Sequence, residues 1–166
     1  MNLILKALRF AENKHKGQTR KVTGEEYFVH PLMVSYIVAN YKMSQNLEIL
    51  IVAAILHDTV EDTDTTFEEI LKEFGMFVAT LVFELTDDKA KKRKLGNLEY
   101  CKLRWCGLSN YALYLKLCDR LYNMSDHPTK EQQDTTLLIL DHVESKRKLT
   151  LSQQRVVFEI RKVING

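Results

Sequence analysis

The sequence predicts an all-α protein. Three observations carry that prediction: apolar residues recur at helical spacing along almost the whole chain, strand-like alternation is nearly absent, and only two prolines and six glycines interrupt 166 residues. The first helix is placed on the stripe Ile4, Ala7, Leu8 and Ala11. A long, polar, glycine-punctuated loop follows from Lys16 to Val29, either a solvated connector or a functional loop, and it delivers His30 immediately before Pro31. Pro31 to Tyr41 reads as a helix with its proline in the first turn, where the missing N–H has no partner to lose. Asn46 to His57 is apolar all round, so that helix should run through the core. Thr65 or Thr66 is placed as the cap of a helix over Phe67 to Phe74, with Glu68 and Glu69 at its positive end and Gly75 closing it. Val78, Leu81, Val82 and Leu85 mark the next helical stripe, and the basic stretch Lys89 to Lys94 reads as a solvated face. Trp105, with Tyr100 and Leu103 nearby, reads as core rather than partner surface. Helices over Asn110 to Ser125 and Lys130 to Lys146, and a last stripe on Val156, Val157, Ile160, Val163 and Ile164, complete the chain. With no Pro/Gly/Ser linker and no repeat, residues 1–166 are expected to form one domain.

Composition narrows the function. A 45% hydrophobic and 28% charged chain of this length can bury a core without staples. A formal charge of +2 is too balanced for a nucleic-acid binder, so any polyanion must be met locally. Cys101, Cys106 and Cys118 form no CxxC pair and leave an odd thiol, which fits a reducing cytoplasm. The amino terminus lacks a signal-peptide pattern, and the longest apolar run, Ile49 to Leu56, is too short to span a bilayer. A soluble, cytoplasmic protein with no membrane partner is expected. Its oligomeric state stays open.

The chemistry gathers on HDTVED. His57 and Asp58 end an apolar helix and so stand at the edge of a core; neighbouring helical residues point about 100° apart, close enough to share one ion. If the helix continues one turn, Glu61 lies over His57 and Asp62 over Asp58. Three crowded acids repel unless a cation or protons neutralise them. On the helix Asn110 to Ser125, Asp119 and Asn123 share a face with Lys116; Asp119 can as well be a surface acid paired with Lys116. Together, His30, His57, Asp58 and Asp119 offer two imidazoles and two carboxylates, a set suited to one divalent ion with open positions. Such an ion polarises a phosphoryl oxygen and acidifies water, while Glu61 or Asp62 orients the water or moves protons. Hydrolysis of a phosphate ester or anhydride follows.

Four segments carry a family likeness: HKGQTRKVTGEEYFVHP, AAILHDTVEDTDTTFEEI, LTDDK and LKLCDRLYNM. In order and approximate spacing the chain resembles the hydrolase domain of RelA/SpoT-type proteins, most closely the single-domain small alarmone hydrolases of the metazoan SpoT-homologue type. The resemblance implies a helical HD fold with one metal site, usually manganese, and removal of the 3′-pyrophosphate from guanosine tetra- and pentaphosphate. It implies that His30, His57, Asp58 and Asp119 hold the metal, that Glu61 and Asp62 are the catalytic acids, and that Arg20, Lys21 and Asn123 meet the nucleotide. Ser125 stands where many relatives have arginine, and Thr135 and Thr136 where small hydrolases often present a tyrosine, so base recognition departs from the pattern. Two alternatives share the likeness: removal of the 2′-phosphate of NADPH at the same site, or a catalytically silent nucleotide-binding module.

Overall fold

The computed structural model describes residues 2–166. Among the described residues the regular elements are ten helices, and the extended pairing is one isolated antiparallel bridge, Thr19 with Glu26. The chain divides into two compact units, residues 1–86 and 87–166.

The first unit holds α1 (Leu3–Lys14), α2 (Val29–Tyr41), α3 (Leu47–Leu56), α4 (Thr59–Asp62) and α5 (Phe67–Leu85). As the uniformly apolar stretch requires, α3 is central, packed against α1, α2 and α5, with Leu50, Val52, Ala53, Ala54, Ile55 and Leu56 buried. Ala7 and Ala11 of α1, one turn apart and fully buried, keep the contact face with α3 small. Asn2 caps α1, its side chain accepting from Ile4 N at 2.9 Å, and Thr66 caps α5 through Glu69 N at 3.1 Å.

Gly75 ends a helix as expected, but the chain then resumes helical form at once, so the two predicted stripes make one kinked α5. At φ 84° and ψ 168°, Gly75 occupies backbone space that is essentially reserved for glycine. An added Cβ would meet nothing within 4 Å, so the cost of replacement is conformational rather than steric. Gly75→Ala is expected to destabilise the protein by about 1–3 kcal/mol. Urea unfolding should show this as a lower midpoint at unchanged m value.

The second unit holds α6 (Lys89–Leu95), α7 (Asn97–Gly107), α8 (Asn110–Ser125), α9 (Lys130–Lys146) and α10 (Leu151–Asn165). Here α8 packs on α10 and α7 on α9. Thr129 with Gln132 and Thr150 with Gln153 form capping boxes at the starts of α9 and α10, and Ser109 caps α8. The end of α7 leaves carbonyls without helical partners, and Arg147 donates to one of them, Leu108 O, at 2.6 Å; Gln153 adds a bond to Asn110 O at the start of α8 at 2.8 Å. Trp105 and Tyr100 are buried as core, with the Arg120 guanidinium 5.3 Å from the Trp105 ring centre, whereas Leu103 is exposed. The Lys89–Lys94 stretch forms α6, which has no buried residue. The three cysteines are present as thiols, and burial pushes the Cys101 thiol pKa up. No described helix is long and apolar enough to cross a membrane.

Candidate metal centre

The packing of α2 on α3 decides the site. His30 sits in the first turn of α2 rather than in the preceding loop, and His57 follows the last residue of α3. Both are 2% exposed. Their rings approach to 5.2 Å between centres, with the two Nε2 atoms 3.3 Å apart. Asp58 Oδ2 lies 3.1 Å from His57 Nε2 and 3.4 Å from His30 Nε2.

Hydrogen bonding gives that convergence a sign. His57 Nδ1 is 2.7 Å from Ala54 O, and a carbonyl only accepts, so Nδ1 carries the proton and a neutral ring turns its Nε2 lone pair inward. A lone pair, a second imidazole nitrogen and a carboxylate oxygen facing one another form a donor set that fits a divalent cation. Burial alone would raise the Asp58 pKa; when the imidazoles are protonated instead of facing an ion, the charge on His57 and hydrogen bonds from His30 and His57 outweigh it and hold the carboxyl well below its usual range.

The acids beyond Asp58 lie on a separate short helix. The helix ends at His57–Asp58, where a turn parts α3 from α4, so it does not continue unbroken to Asp62. The i, i+4 relation survives for Asp58 and Asp62, since Asp62 N donates to Asp58 O at 2.9 Å. Threonines hold the turn: Thr59 donates to Leu56 O at 2.7 Å and Thr63 to Thr59 O at 2.6 Å. Glu61 is half-buried and Asp62 exposed.

The loop spans Lys16–Phe28, and Val29, expected as its last residue, is the first of α2. Arg20 N donates to Glu25 O at 2.8 Å and Gly24 N to Arg20 O at 2.9 Å, closing a tight turn at Gly24, where φ is 74°. Arg20 is half-buried on this turn and Lys21 exposed. Three residues of the surrounding segment that sequence reasoning did not single out are tied to the site. Tyr27 donates its hydroxyl to Asp58 Oδ2 at 2.6 Å, and Gln18 donates to Asp62 O at 2.8 Å. His15, buried, has Nδ1 2.8 Å from Gln18 Oε1. Their signal in the sequence was only proximity: Tyr27 stands three residues before His30, and Gln18 three after His15.

Asp119 and Asn123 belong to α8 of the second unit. Asp119 is buried, which overturns its reading as a surface acid, although its pairing with Lys116 is present at 3.3 Å. Asn123 Nδ2 donates to Asp119 Oδ1 at 2.7 Å. On α9, Thr136 is fully buried and accepts from Arg120 at 3.1 Å, so its hydroxyl is committed to the core.

The model of the HD domain matches residues 7–141. The chain belongs to the HD-domain family. Among curated relatives, this HD-domain chain is 42% identical over 131 residues to a guanosine-3′,5′-bis(diphosphate) 3′-pyrophosphohydrolase MESH1 of Xenopus tropicalis, covering 75% of this chain and 69% of the relative. It is 45% identical over 123 residues to a guanosine-3′,5′-bis(diphosphate) 3′-pyrophosphohydrolase of Aquifex aeolicus, covering 73% of this chain and 17% of that longer protein. A solved structure, described as a metazoan orthologue of SpoT that hydrolyses ppGpp and plays a role in starvation responses, superposes with a TM-score of 0.80 at 28% identity. It covers 98% of this chain and 96% of its own.

Proposed function

We propose that this HD-domain protein is a manganese-dependent guanosine-3′,5′-bis(diphosphate) 3′-pyrophosphohydrolase, converting its substrate and water to GDP and pyrophosphate. The observation that carries the reading is the convergence of His30 Nε2, His57 Nε2 and Asp58 Oδ2. The substrate comes from relatives such as the Xenopus and Aquifex hydrolases, 42% and 45% identical.

In this reading His30, His57, Asp58 and Asp119 hold the ion, Asp119 being contributed by α8. The buried Asp119 carboxylate, with Lys116 and Asn123 fixing its oxygens, suits a ligand held in one orientation. A bound divalent ion supplies polarisation of a phosphoryl oxygen and a lowered pKa for water. Glu61 and Asp62, on the short helix after Asp58, orient that water and carry a proton between it and the leaving group. Arg20 and Lys21 meet the nucleotide from the loop turn, where a guanidinium can pair with phosphate in two places or stack on a base. Asn123 contributes to the ribose side. Residues 1–166 then work as one hydrolase domain, which the match of the HD-domain model to residues 7–141 supports. Thiols at all three cysteines suit a reducing cytoplasm.

The test is release of pyrophosphate from guanosine tetraphosphate by purified protein, first stripped of metal and then supplied with Mn²⁺, Fe²⁺ or Zn²⁺. Release that depends on metal and is fastest with Mn²⁺ is the expected result. NADPH at equal enzyme is the comparison substrate, and phosphate release from it alone would move the assignment to a 2′-phosphatase. Nucleotide binding without turnover in the presence of Mn²⁺ would make the protein a silent binding module.

A further inference from the structure

We propose that Tyr27 is a positioning residue of the metal centre, its hydroxyl fixing the Asp58 carboxylate in the orientation that turns Oδ2 toward both imidazoles. The inference rests on the metal-site reading above but concerns a residue outside the ligand set.

Asp58 needs such a partner. It lies on the turn between α3 and α4, and its side chain keeps 16% of its surface in solvent, so two free torsions could swing the carboxylate outward. Its backbone supports Asp62 but leaves the side chain unguided. The Tyr27 hydroxyl, at 2.6 Å, gives a short bond to the same Oδ2 that faces His57 at 3.1 Å and His30 at 3.4 Å. A carboxylate oxygen has two lone pairs, so Oδ2 can accept from Tyr27 and still face the imidazoles.

Tyr27 is itself immobilised. Its ring centre lies 4.8 Å from that of His15 and 5.7 Å from that of His30. Its backbone N donates to Gln18 O at 2.9 Å, and its carbonyl accepts from His30 N at 2.9 Å. The turn that carries the hydroxyl therefore also begins the helix that carries His30. Partners that orient metal ligands typically change metal affinity or activity by about 10–100-fold when removed.

The experiment is titration calorimetry of Mn²⁺ into metal-free wild type and Tyr27→Phe, with the melting temperature of each metal-free protein measured beside it. Tyr27→Phe should melt within a few degrees of wild type, bind Mn²⁺ about 10–100-fold more weakly, and recover most of its kcat at saturating Mn²⁺. Tyr27→4-aminophenylalanine, which restores a donor, should recover the affinity; Tyr27→4-methylphenylalanine, which restores only volume, should not, and it replaces the Phe variant if that one does not fold. Wild-type affinity in a folded variant without the donor overturns the proposal, as does equal affinity of the amino and methyl variants. Wild type that binds no Mn²⁺ instead overturns the metal reading. Wild type that binds Mn²⁺ without releasing pyrophosphate overturns only the substrate.

Discussion

His57→Ala is expected to abolish stoichiometric metal binding and to lower pyrophosphate release by at least about 10³-fold, since the catalysis proposed depends on the ion. The side chain has two separate duties. Nδ1 is anchored on Ala54 O at 2.7 Å, and Nε2 faces both Asp58 and His30. Alanine removes an inward donor and leaves a buried carbonyl at the end of α3 without its partner, a loss of about 1–3 kcal/mol in stability. The two effects separate experimentally: metal content by plasma emission reads the first, and thermal melting of the metal-free protein reads the second. A folded His57→Ala protein that keeps one ion per chain and turns over at the wild-type rate would remove His57 from the site.

Glu61→Gln tests the other half of the chemistry. It is expected to keep the ion and to lower kcat by about 10²–10⁴-fold, the usual contribution of a positioned acid or base. Glutamine preserves the size of the half-buried side chain on α4 but can no longer exchange a proton. Metal affinity equal to wild type with turnover lost assigns Glu61 to proton transfer or water orientation. Lost affinity would place it among the ligands, and undiminished turnover would leave the role to Asp62 or to neither.

These experiments bear on residues that sequence reasoning reached in different ways. His57 and Asp58 were legible because a stretch as apolar as Ile49–Leu56 must enter a core, so ionisable residues at its end stand at a buried edge. Gly75 was legible as a helix stop because glycine alone tolerates its backbone angles. That α5 resumes beyond it was not, since the continuation depends on Val78, Ala79, Leu81 and Val82 having a core to bury into. The short helices α4, α6 and α7 were missed for a related reason: four or seven residues give too little periodicity to read, and α7 has polar residues spread around its circumference.

The sequence by itself determined the helical class, the central place of α3 and the residue types able to hold a cation, because periodicity and side-chain chemistry are local properties. Only the tertiary structure decided that His30 meets His57, that Asp119 is buried, and that Tyr27 reaches Asp58 across 31 positions of chain. Contacts of that kind depend on how helix faces pack, and no spacing along the chain encodes a distance between two helices.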